Sequence, residues 1–123
     1  SPANYEDARA NGDLIYSVKQ TRDQGIRKIL EDITPGKKVY VTFDIDGMDA
    51  AQAPATGSPM FGGFIYEEIV TIFEEIANHC EVIGLDLVEV SPPYDDANDT
   101  TCYLAARLIS DFLGFITKKR EEK

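Results

Sequence analysis

An α/β domain built around a mostly parallel sheet is the fold this sequence predicts. Two apolar runs carry the prediction, Val39-Tyr40-Val41-Thr42-Phe43 and Val82-Ile83-Gly84-Leu85-Asp86-Leu87-Val88. Nearly continuous apolar strands of this kind suit a parallel sheet covered on both faces. Between them Ile65, Ile69, Ile72, Phe73 and Ile76 recur at the spacing of one helical face. Strands alternating with helices are the α/β layout.

Each element has its own signal. Tyr5 to Asn11 reads as a short helix ended by Gly12, and Leu14-Ile15-Tyr16-Ser17-Val18 as a short strand. Thr21-Arg22-Asp23-Gln24 has the form of a capping box. The helix it opens should reach about Ile33 and stop before the breaker pair Pro35-Gly36. The first apolar strand follows and ends in Asp44. A loop rich in Ala, Pro and Gly spans Met48 to Gly63, a length typical of functional or disordered segments. In the next helix Glu67, Glu68, Glu74 and Glu75 lie off the apolar face and read as solvated. After the second strand, a loop from Ser91 to Asn98 leads to a last helix. That helix is capped by Asp99 or Thr100 and turns Leu104, Leu108, Phe112 and Leu113 inward. The charged end, Lys118 to Lys123, should fray. Three strands are few for a doubly wound sheet, which points to a fold incomplete within this chain.

The 123 residues fit one domain or part of one. A net charge of −10 leaves no basic patch to hold phosphates, which argues against nucleic acid and anionic membrane as partners. It is compatible with cationic substrates or metal ions, although solubility alone explains most of it. Cys80 and Cys102 fit neither a zinc-site spacing nor a disulfide scaffold, so reduced thiols and a cytoplasmic location are expected. No apolar run is long enough to span a membrane. The start, Ser1-Pro2-Ala3-Asn4, shows no signal peptide and no initiating Met, and the expectation is a processed or excised piece.

The strand through Phe43-Asp44-Ile45-Asp46-Gly47 is the most informative segment. Side chains alternate along a strand, so Asp44 and Asp46 should point the same way and Ile45 the other. Two adjacent acids are tolerated if a cation lies between them or one carboxyl keeps its proton. The end of a strand in an open α/β sheet is also where ligands bind. A site for a hard divalent metal is one reading; a polar strand end at which Asp46-Gly47 reverses the chain is the other. A helix–loop–helix calcium loop counted from Asp44 fails, because Met48, Asp49 and Ala55 occupy positions that need an acid, Gly and Glu. A haloacid-dehalogenase-like phosphatase would use Asp44 as nucleophile and Asp46 as acid/base, but Met48 stands where that motif has Thr.

The wider segment is more specific. Phe43-Asp44-Ile45-Asp46-Gly47-Met48-Asp49 runs into Ala53-Pro54-Ala55-Thr56-Gly57-Ser58-Pro59 and Gly62-Gly63. Later comes Gly84-Leu85-Asp86-Leu87-Val88-Glu89-Val90-Ser91-Pro92-Pro93-Tyr94-Asp95. Together these resemble the carboxy-terminal half of the ureohydrolases, the arginase and agmatinase family. Glu-Val-Ser-Pro-Pro-Tyr-Asp is more similar to agmatinase than to arginase. The resemblance implies a three-layer α-β-α, arginase-like fold of which residues 1–123 are the carboxy-terminal part of a single domain. It implies a pair of Mn²⁺ ions, with Asp44 bridging both and Asp46 binding one, and carboxylate oxygen is a suitable donor for manganese. Such ions lower the pKa of a water that attacks the guanidinium carbon, releasing urea. Glu89 matches the acid that binds the small cationic guanidino substrate, and two parallel hydrogen bonds suit that pairing. Ser58 stands where the family often has Thr lining the pocket, although a Gly-Ser-Pro turn explains it as well. Asp86 reads as a supporting or strand-packing residue and Asp49 as a turn former. Gly57, Gly62 and Gly63 are expected to permit unusual backbone angles. Tyr94 and Asp95 fit either a pocket rim or a turn.

The family's remaining ligands, a His and an Asp-x-His-x-Asp cluster, and its proton-shuttling His have no counterpart here. The single histidine, His79, lies at a helix end, where the helix dipole accounts for it. No catalytic residue proper is identified in this chain. The intact enzyme needs an amino-terminal half, and these residues alone should be inactive and prone to associate, as a homo-oligomer would. A non-catalytic domain used in assembly is the alternative.

Overall fold

In the computed structural model, which describes residues 2–123, the two apolar runs form a pair of parallel strands, β1 (Lys38–Asp44) and β2 (Glu81–Val88). The register runs from Lys38 beside Glu81 to Asp44 beside Val88, with one irregularity at Val39/Tyr40. Just after it the Tyr40 ring lies across Gly84, where a Cβ would come within 2.7 Å of the ring. Alternation along β1 sends Val39, Val41 and Phe43 onto the core and leaves Tyr40, 60 % exposed, on the other face with Thr42 and Asp44. Within this chain, therefore, the sheet is covered on one face. Asp86 lies on the open side and accepts hydrogen bonds from Tyr40 Oη (2.9 Å) and Thr42 Oγ1 (2.6 Å) of the neighbouring strand, which is the strand-packing one of the two roles expected of it.

The covering layer is α4 (Tyr66–His79) and α5 (Thr100–Glu121), which pack on each other and on the strands. Helix α4 buries Ile69, Phe73 and Ala77; α5 buries Ala105, Leu108, Phe112 and Ile116. The expected Leu104 is half-buried, while Leu113 is 49 % exposed and faces out. Three rings join the layers: Phe43 meets Phe73 edge-on (5.4 Å), and Phe73 stacks on Phe112 (4.3 Å).

The amino-terminal region departs most from expectation. Helix α1 (Pro2–Ala10) forms, but Leu14–Val18 is not a strand. Ser17 is the cap of α2 (Val18–Gln24): its Oγ accepts from Gln20 N, and Gln20 Oε1 accepts from Ser17 N. This capping box lies four residues before the one read at Thr21, whose hydroxyl bonds back to Ser17 O inside the helix. Gly25, at φ 81, then splits the expected single helix into α2 and α3 (Ile26–Leu30). Two of the four α4 glutamates are not merely solvated. Arg22 grips Glu68 with Nε and Nη2 (2.6 and 2.9 Å), and Arg27 pairs with Glu75 (2.8 Å), tying α2 and α3 to α4. His79 Nε2 donates to Ile33 O (2.7 Å), so this imidazole fastens the turn before β1.

The cap of α5 also lies upstream of its expected position. Asp99 has a left-handed backbone and makes no side-chain cap. Asp95 instead accepts from the amides of Asp96, Thr101 and Cys102, and Asp96 from those of Asn98 and Thr100. Asp95 is thus a structural anion at a helix start. Burial opposes its ionisation, but the amides of Cys102 and Thr101 outweigh burial and hold its carboxyl far below the usual carboxylate range. A depressed folded value means the stabilisation is complete above the unfolded value of about 3.9 and is lost as pH falls through the folded one. Urea midpoints should therefore show Asp95→Asn clearly weaker than the parent near neutral pH, with the gap closing as the medium becomes strongly acidic. An unchanged gap would refute this assignment.

Candidate active site

The site is built at the carboxyl end of the parallel pair. Strand β1 stops at Asp44, and the chain enters a single 3-10 turn, Ile45–Gly47, with Ile45 fully buried. Asp44 Oδ1 caps that turn by accepting from Asp46 N (3.1 Å). The two acids are therefore brought together by a side-chain-capped turn rather than by the strand pleat. A short polar side chain at a strand end offers the backbone this alternative to further ladder pairing. Asp44 is exposed and Asp46 half-buried. Burial first, then the adjacent charge of Asp44 and a hydrogen bond with its carboxyl, push the Asp46 carboxyl above its ordinary range.

Residues after the turn are packed rather than loose. Met48 is fully buried and bridges to Phe64. Asp49 is the turn former expected: Oδ1 accepts from Ala51 N and Oδ2 from Gly62 N, each at 2.9 Å. Those two amides hold its carboxyl below the usual range. Gly62 has φ 80, as expected, but Gly63 is there for another reason. A Cβ on Gly63 would lie 2.4 Å from the carbonyl carbon of Met48.

Glu89 directly follows β2, one residue past the Val88 that pairs with Asp44, so the second acid site opens at the same end of the sheet. Thr56 bridges antiparallel to Val90, and Ser91 N donates to Ala55 O (2.9 Å). Thr101, fully buried at the start of α5, accepts from Ala55 N through its hydroxyl (3.1 Å). These bonds place Gly57 against Glu89, and exposed Ser58 follows it. Asp44 and Glu89 thus lie at the same end of the paired strands, Asp46 in the turn that follows β1, and Ser58 next to the Gly57 that approaches Glu89. Tyr94 is 74 % exposed in a short turn. Residue-by-residue reading missed Thr56 and Thr101, which set the loop. A Thr just inside the last helix could have been suspected of reaching a neighbouring backbone amide.

Chemically, the Asp44–Asp46 pair offers hard oxygen donors whose mutual repulsion a cation would relieve. Among the described residues, no group of three or more His, Cys, Asp or Glu side chains is placed to hold a metal ion. The pair therefore fits as part of a metal site and not as a whole one.

The Arginase family model matches residues 1–114. The chain belongs to the arginase family. Among curated relatives of this arginase-family chain, an agmatinase of Proteus mirabilis is 35 % identical over 106 residues, covering 84 % of this chain and 34 % of that protein. A non-hepatic arginase of Xenopus laevis is 40 % identical over 108 residues, covering 80 % and 30 %. In three dimensions the fold matches proclavaminate amidino hydrolase from Streptomyces clavuligerus with a TM-score of 0.80 at 30 % identity, over 93 % of this chain and 38 % of that one. It also matches agmatine ureohydrolase of Thermoplasma volcanium, with a TM-score of 0.74 at 34 % identity, over 86 % and 35 %. The arginase-like fold is thus present here in part, as a parallel sheet with helices. The chain spans about a third of the length of the curated relatives it matches. The phosphatase reading falls with this family match. No helix among the described residues is long and apolar enough to cross a membrane.

Proposed function

We propose that this chain supplies the carboxyl-terminal part of the active site of a cytoplasmic, Mn²⁺-dependent ureohydrolase acting on an agmatine-like guanidino compound. The observation that carries the reading is the meeting of the Asp44–Asp46 pair and Glu89 at one end of the sheet. Asp44 and Asp46 would hold manganese together with ligands from the rest of the enzyme. When bound, the metal pair supplies Lewis acidity that makes water nucleophilic near neutral pH. Glu89 would receive the guanidinium through two parallel N–H···O bonds, fixing its plane and its approach. Ser58, next to Gly57, would offer a hydroxyl to the same substrate. Agmatine rather than arginine is favoured by the Glu-Val-Ser-Pro-Pro-Tyr-Asp segment. Self-association into a homo-oligomer accords with the open sheet face.

Manganese titration and urea release test this reading. In an assembly completed by the remaining part of the enzyme, Asp44→Asn and Asp46→Asn should each lower urea release by at least about 100-fold, beyond the loss usual for residues that merely support a ligand. The 123 residues alone should release none. Undiminished urea release by either variant would refute the ligand roles, and a completed assembly without turnover would favour the non-catalytic assembly role instead.

A further inference from the structure

Alternation along β2 dictates where Glu89 ought to point. Leu85 and Leu87 pack on the core, whereas Asp86 and Val88 lie on the open face. One more residue of regular strand would drive the Glu89 side chain inward. The chain avoids this with a backbone reversal: Glu89 has φ 68 and is exposed, and Val90 packs against the core in its stead. Positive φ is uncommon for any residue with a Cβ, and glutamate is not among the types that tolerate it. The other non-glycine residue with positive φ among those described is Asp99, of a type that visits this region more readily. Strain of this sort persists where the surrounding structure over-determines it and clusters at ligand sites. The Thr56–Val90 bridge and the Ser91–Ala55 bond supply that constraint.

Gly57 is the other half of the feature. Its φ lies outside the left-handed region, so its conformation does not demand glycine. A Cβ there would meet nothing but Glu89 Oε2, at 4.0 Å, so packing does not demand it either. What remains is room beside the carboxylate, and glycine is the residue used where a ligand approaches backbone closely.

We propose that Glu89 and Gly57 form one recognition surface for a flat cation, in which the left-handed backbone turns the carboxylate out of the core and the bare Cα of Gly57 keeps the approach to Oε2 open. Gly57 is thereby a specificity-determining position. This deepens the guanidinium reading of Glu89 and rests on it for its purpose.

Two measurements on the 123-residue chain test it. In urea unfolding, Glu89→Gly should raise the folding equilibrium constant roughly two- to fivefold above the parent, because relief of the left-handed penalty exceeds the entropy cost of glycine. Glu89→Asn should be more stable than Glu89→Ala, and Gly57→Ala should match the parent. Protease resistance gives the same ranking if unfolding is not cooperative. Methylguanidinium, followed by NMR at the Glu89 carboxyl carbon and the Gly57 amide, should shift both signals in the parent. The response should be lost in Glu89→Gly and reduced in Gly57→Ala. A Glu89→Gly chain no more stable than Glu89→Ala, or a Gly57→Ala chain that responds as the parent does, would overturn this inference and leave the guanidinium reading standing. Silence of the parent towards methylguanidinium, with the stability order as expected, would overturn the guanidinium reading itself.

Discussion

Gly63→Ala should destabilise the chain by about 3 kcal/mol or more, the upper range for an added methyl in a filled space. The added carbon would sit 2.4 Å from Met48 C and 2.6 Å from both Met48 O and Asp49 N. Those are backbone atoms of a single peptide, and no rotamer change can move them aside. That peptide is held by Asp49 N to Phe64 O (2.8 Å) and the one before it by Phe64 N to Gly47 O (3.0 Å), with Met48 fully buried between them. Relief therefore requires the Gly47–Asp49 segment and the Gly63–Phe64 segment to part, which also shifts the turn carrying Asp46. Urea unfolding should show the loss of stability. A neutral result would mean that the two segments do not approach this closely.

Phe112→Ala should cost about 3–5 kcal/mol, a sum comparable with the whole stability of a small domain. Phe112 is 1 % exposed and stacks on Phe73, which in turn abuts Phe43 of β1. Removing the ring opens a void between α4 and α5 and undercuts the strand that ends in Asp44. Circular dichroism during urea titration should show a chain unfolded or nearly so at low denaturant. Phe112→Leu, which keeps most of the volume, should lose much less. Equal losses for the two variants would argue against ring packing as the cause.

Long-range burial was legible in the residues, and local hydrogen bonding much less so. The runs Val39–Phe43 and Val82–Val88 and the stripe Ile69-Ile72-Phe73-Ile76 declare their partners because only burial explains them. Ser17 and Asp95 outcompeted Thr21 and Asp99 as caps, because several polar residues near each helix start could serve and only the tertiary path selects among them. Leu14–Val18 has the residue types of a strand, yet among the described residues no strand pairs with it and the Ser17 cap claims its end. At the site, the spacing of Asp44 and Asp46 declares that they are neighbours but not why: a capped turn replaces the pleat. The reversal at Glu89 was invisible, since nothing in Val88-Glu89-Val90 marks a left-handed residue.

The strand pairing has a kinetic corollary. Lys38 meets Glu81, 43 positions further along, so no part of the ladder can form until a long stretch has been looped back. Closing such a loop costs entropy before any contact rewards it, and parallel sheets are slow to assemble for that reason. On a ribosome the first strand would emerge and wait, its hydrogen-bonding edges bare, until the second had cleared the exit tunnel. Helix α4, formed from the intervening residues, would be the natural early partner to shield Val39, Val41 and Phe43 meanwhile.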